Sequence, residues 1–100
     1  MVMTMNSTPW PITHNAEQQR FEVRAEGWLC RLDYQMHDEG KVAHFVHTEV
    51  ALAVEGRGIA AALVRAALEW AQAQNLKVVP RCSFVQSYIK RHPQWAQLVA

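Results

Sequence analysis

The first fifteen residues hold no apolar run of signal-peptide length, and no Lys or Arg precedes Arg20. Secretion and membrane insertion therefore lack support, and a cytoplasmic location is the expectation. Cysteine is scarce. Cys30 and Cys82 are the only two, too few for a disulfide framework, so each must be explained as core or as chemistry. Charge of one sign is also missing: a formal net charge of +1 produces no field that demands nucleic acid or an acidic membrane as partner. No internal repeat or low-complexity tract occurs.

Half of the 100 residues are apolar and 19% are charged, enough for one hydrophobic core but not for a second, substrate-binding domain. Any active site has to be built on that core. Pro9 and Pro11 flank Trp10 in a polar stretch without periodicity, so residues 1–17 read as a flexible leader and residues 18–100 as a single domain. From Arg20, "RFEVRAEGWLCRLDYQM" alternates apolar and polar on either side of Gly27 and reads as a hairpin. "HDEGK" supplies the next turn. "VAHFVHTEVAL" follows as a strand with apolar residues on both sides, the pattern of a central strand covered on both faces.

After Gly58, the spacing of Ile59, Leu63, Ala66, Ala67 and Trp70 describes an amphipathic helix, with Asn75 as a left-handed cap. "LKVVP" is a short strand stopped by Pro80, and "SFVQSYIKRH" a second helix ending at the His92-Pro93 step. The expected order is β-β-β-α-β-α: an α+β fold in which an antiparallel meander leads into a parallel βαβ unit.

Between strand and helix lies "EGRGIAA". A loop that leaves a strand and opens a helix aims unpaired N–H groups at one point, where the helix dipole adds positive potential, and anions bind at such points. Gly56 and Gly58 permit positive φ and close approach; Ala60 and Ala61 keep the first helical turn thin, and Arg57 adds a charge. Neither dinucleotide fingerprint nor P-loop fits, since the third glycine and the Gly-Lys-Ser/Thr ending are absent.

Two residues stand out as reactive. His47 precedes the turn, and an imidazole that titrates near neutrality can take a proton from an amine; the bland alternative is a core or capping histidine. Glu49, two residues on, shares its strand face and can orient it, or stand as a solvated carboxylate. Cys82 sits just before the second helix, where the helix N-terminus and Arg81 favour thiolate, against the ordinary fate of a small buried hydrophobe. Cys30 alternates with core positions. No metal is expected, because His44 and His47, three apart on a strand, should face opposite ways. Lys90, Arg91 and His92 beside Tyr88 and Trp95 read as a nucleic-acid patch, as partners for a ribose phosphate, or as a solvated helix end whose cations offset the dipole, and the last is favoured.

The stretches "TEVALAVEGRGIAAALVRAAL" and "VVPRCSFVQSYIKRHPQW" resemble the small, single-domain YjdJ-type branch of the GNAT N-acetyltransferase superfamily, over roughly Phe21 to Leu98. The resemblance implies a minimal GNAT-like fold whose turn holds the pyrophosphate of acetyl-CoA through the backbone of Arg57, Gly58, Ile59, Ala60 and Ala61. It also implies that Val50 and Ala51 pair with the pantetheine arm. Glu55 stands where the superfamily pattern has Arg or Gln. "HTEV" implies that His47 faces the acetyl group as base, and "PRCSF" that Cys82 acts as acid or acetyl acceptor; Tyr88 occupies the helix on which larger members carry an acid. The implied activity is N-acetyl transfer to an unidentified amine, a small molecule or a protein. A non-catalytic acyl-CoA-binding module and, behind it, a nucleic-acid-binding module are the alternatives.

Overall fold

The computed structural model describes residues 10–100. Five strands lie in sequence order across one sheet: β1 Thr13–Asn15, β2 Arg20–Ala25, β3 Trp28–His37, β4 Val42–Glu49 and β5 Lys77–Pro80. All neighbours are antiparallel except β4 and β5, which run parallel and are joined by helix α1, Ile59–Ala73. Helix α2, Ser83–Arg91, follows β5. The mixed α+β architecture expected from the sequence is therefore present.

Local chemistry accounts for most boundaries. Ala25 pairs with Trp28 across Glu26 and Gly27, at φ 50° and 83°, as a two-residue hairpin with right-handed strand twist requires. Helix α1 ends as Asn75 takes φ 59°, with Asn75 N–H on Gln72 O and Leu76 N–H on Ala71 O; this paired arrangement satisfies two otherwise orphaned carbonyls. After α2, Pro93 opens a 3₁₀ segment, Pro93–Leu98, which buries Trp95 and Leu98.

Two expectations are corrected. Residues 13–15 form the edge strand β1, so the sheet begins ahead of Gln18; residues 1–9, the rest of the expected leader, lie outside the described residues. His14 holds that edge in place. Its ring stacks on Phe21 with centroids 4.2 Å apart and meets Trp70 of α1 edge-on at 4.8 Å, and Nε2 lies 2.6 Å from the Tyr34 hydroxyl.

The second correction concerns β4, which is central but covered on one face only. Phe21, Val23, Ala25, Cys30, Leu32, Tyr34, Ala43, Phe45 and Val78 are buried, and α1 packs against β2, β3, β4 and β5 on that side. Residues of alternate parity, such as Glu22, Arg31, Asp33, Gln35, His44 and Val46, are half-buried or exposed. An antiparallel sheet tolerates one solvated face. The apolar residues at both parities of β4 reflect Val42 and Val46, β-branched residues at home on a pleated strand without full burial.

Candidate active site

The connection from β4 to α1 runs through a 3₁₀ turn, Leu52–Val54, into the two glycines. Val54 and Ile59 are buried on either side of the loop and fix its base, while Gly56 and Gly58 take φ 80° and 79°. Gly58 is the helix N-cap, with no side-chain cap and no acidic residue in the first turn. The Ala62 N–H makes the bond back to Gly58 O, so the N–H groups of Ile59, Ala60 and Ala61 precede the intrahelical ladder. A cavity of about 370 Å³ lies there, lined by Val50, Glu55, Gly56, Gly58, Ile59, Ala60, Ala61 and Phe84.

That lining contains five of the seven residues expected to hold a cofactor. Ala51 and Arg57 do not line it. The Arg57 side chain pairs with Glu26, so the charge expected to serve the turn is engaged elsewhere. Phe84, from the first turn of α2, was not singled out from sequence, although it ends the "PRCSF" stretch.

Strand β4 carries an irregularity. Asp33 pairs with His47 but Tyr34 with Phe45, so Val46 is an extra residue, a β-bulge. The bulge resets the alternation. Thr48, opposite the buried Leu32, belongs to the covered face, whereas His47, opposite Asp33, belongs to the open one. It also overturns the reason given above for excluding a shared metal: His44 pairs with Gln35 and His47 with Asp33, so the two histidines share a face. His44 instead stacks on His37, centroids 3.8 Å apart, and among the described residues no group of three or more His, Cys, Asp or Glu could hold a metal ion.

Pairing between β4 and β5 stops at Phe45 and Pro80. Both Arg81 N–H and Cys82 N–H then bond to Phe45 O, and the chain leaves for α2. From Val46 onward β4 has no β5 partner; Cys82 stands beside it instead, at Thr48.

The reactive candidates lie on different faces of this part of β4. His47 Nε2 lies 3.1 Å from Glu49 Oε1, and Arg31 lies 3.5 Å from the other Glu49 oxygen. The His47 bond, together with Arg31, holds the Glu49 carboxyl below its ordinary value. Cys82 is on the covered side, with Sγ 3.5 Å from Thr48 Oγ1. Burial pushes this thiol up, but the bond with Thr48 and the N–H groups of Val85 and Phe84 outweigh it, and the net shift is below the ordinary thiol value. His47 and Cys82 are therefore held by different partners, Glu49 and Thr48.

The remaining candidates pack. Cys30 and Tyr88 are buried; Tyr88 stacks on His92 at 4.1 Å, and burial raises its pKa. Trp95 is buried too, which leaves exposed Lys90 and Arg91 without the aromatic faces a nucleic-acid patch uses. Among the described residues no helix is long and apolar enough to cross a membrane.

Residues 20–98 match the family model described as GCN5-related N-acetyl-transferase. The chain belongs to the GCN5-related N-acetyltransferase family. It is 35% identical over 86 residues to Protein NATD1 of Mus musculus, covering 85% of this chain and 78% of that protein. The Homo sapiens NATD1 is also 35% identical, over 85% of this chain and 76% of its own length. In fold, this GCN5-related N-acetyltransferase is similar to the solution NMR structure of a GCN5-like protein from Staphylococcus aureus, with a TM-score of 0.70 at 22% identity, covering 91% of this chain and 88% of that one.

Proposed function

We propose that this GCN5-related N-acetyltransferase uses acetyl-CoA to acetylate an amine, working in the cytoplasm, where Cys82 stays a thiol. The observation that carries the reading is the 370 Å³ cavity at the uncapped start of α1, whose lining includes Val50, the residue that follows β4. The N–H groups from Arg57 to Ala61 suit a diphosphate, and the edge of β4 towards Val50 and Ala51 suits an extended amide-bearing arm. Bound there, acetyl-CoA supplies an activated acetyl thioester.

The protein's own residues divide the transfer. The Cys82 sulfur, favoured as thiolate by Thr48 and the start of α2, attacks the acetyl carbonyl, a sulfur–carbon bond forms, and the CoA sulfur departs. An amine arriving from the open face then attacks the acetyl-cysteine, gives its proton to His47, and releases the Cys82 sulfur. Glu49 holds the His47 Nε2, leaving the other ring nitrogen for that proton. The open sheet face leaves room for a protein side chain as readily as for a metabolite.

Incubation with acetyl-CoA alone tests this: the protein gains one acetyl group, mapped to Cys82 by peptide mass spectrometry. If Cys82→Ser retains full turnover and no acetyl is trapped, the amine attacks directly. The Glu55 carboxylate in the cavity lining favours a second reading, a weak acyl-CoA-binding module, which binding without turnover of any amine would select.

A further inference from the structure

The glycine turn is held from outside by two residues that the transfer chemistry does not use. The indole N–H of Trp10 donates to Arg57 O at 3.0 Å, and the Arg57 guanidinium pairs with Glu26. Arg57 stands between two glycines of positive φ, a combination with a wide conformational range when free. A ligand that binds backbone N–H groups has to overcome the entropy of freezing such a turn. The two anchors come from separate places. Trp10 packs, partly buried, against the core ahead of β1, and Glu26 belongs to the tight turn joining β2 to β3.

The direction of the Trp10 bond matters. In a trans peptide the N–H points opposite to the C=O, so holding Arg57 O towards Trp10 turns the Gly58 N–H the other way, and Gly58 lines the cavity. An exposed ion pair is a weak tether, so Glu26 adds less than Trp10.

We propose that Trp10 and Glu26 are positioning residues that clamp Arg57 and so preset the Gly56–Gly58 turn for a diphosphate-bearing ligand. The proposal rests on the acetyl-CoA reading of the cavity. Such presetting lowers the entropic cost of binding without touching the ligand.

Trp10→Phe keeps a ring in place and deletes the donor. In the ligand-free protein, amide hydrogen exchange over residues 56–61 should accelerate about fivefold, the scale of one net hydrogen bond. CoA affinity by calorimetry should fall by a similar factor, and KM for acetyl-CoA should rise while kcat holds. Glu26→Gln should move both readouts the same way, by less, and decides the matter if Trp10→Phe does not fold. Unchanged exchange, or faster exchange with CoA affinity equal or tighter, overturns the clamp as a device for binding. If the parent binds no CoA, the acetyl-CoA reading fails and takes the binding role with it, while the exchange comparison still shows whether Trp10 holds the turn.

Discussion

On the covered face of β4, Thr48 Oγ1 lies 3.5 Å from Cys82 Sγ, both residues half-buried. On the open face His47 and Glu49, 3.1 Å apart, are each about half exposed, at 53% and 54% of side-chain area. Neighbouring residues of one strand thus meet different media. A thiolate gains from the fixed donors around Cys82, which outweigh the cost of its burial, while in the proposed transfer the base that serves an incoming amine has to stay reachable. In the proposed transfer, this one strand serves the donor on one side and the acceptor on the other, beyond the point at Phe45 where its pairing with β5 stops.

The largest expected effect comes from splitting the two half-reactions. Cys82→Ala should trap no acetyl and lose turnover on the order of 1,000-fold, whereas His47→Ala should still trap acetyl on Cys82 and lose turnover about 100-fold, with CoA affinity unchanged. Quench-flow with mass detection reads both. Loss of trapping in His47→Ala would mean that His47 activates the thiol, and the division by face would collapse.

Stability should divide the same way. Phe45 is fully buried, and Phe45→Ala should cost about 3–5 kcal/mol in urea unfolding. Gln35→Ala, on the open face of the next strand, should stay within about 0.5 kcal/mol. A large cost at Gln35 would show that the open face is covered in solution.

The smallest effect lies at the edge of the covered face. Burial lowers the pKa of His14, so the unfolded chain takes up its proton first. The neutral ring's contribution to stability is fully present above the ordinary histidine value near 6.5 and is lost as pH falls through the lowered folded value. Melting temperatures taken from about pH 7.5 to about pH 5 should fall less in His14→Phe than in the parent. Equal slopes would remove His14 from the account.

Much of this arrangement was legible in the sequence, for identifiable reasons. The β2–β3 hairpin, α1 with its Asn75 cap, and the parallel return through β5 each carry a periodicity and a stop signal that agree. The strand β1 does not: three residues behind Pro9 and Pro11 show no period, and they are held by rings from Phe21, Tyr34 and Trp70 that are distant in sequence. The Val46 bulge is invisible for a related reason, because an extra residue shows only against the partner strand. Strict alternation therefore set His44 and His47 on opposite faces, which the register contradicts. At the site, the glycine turn announced itself by composition. The engagement of Arg57 by Glu26 and the contribution of Phe84 are tertiary contacts, and no local pattern encodes them.

The pairing of cavity and strand edge is tested most directly by titrating the labelled protein with CoA and following each backbone amide by NMR. The account predicts the largest shifts at residues 56–61, followed by those of β4 from Val46 to Val50, with Phe84 responding and the open-face residues Arg20, Glu22 and Gln35 silent. The same titration of Gly58→Val should show no saturable shifts: a Cβ there meets no neighbour within 4 Å, so the damage comes from forcing a β-branched residue to φ 79° rather than from blocking the ligand. Shifts centred on the open face, or full binding by Gly58→Val, would contradict the assignment of the turn as the site.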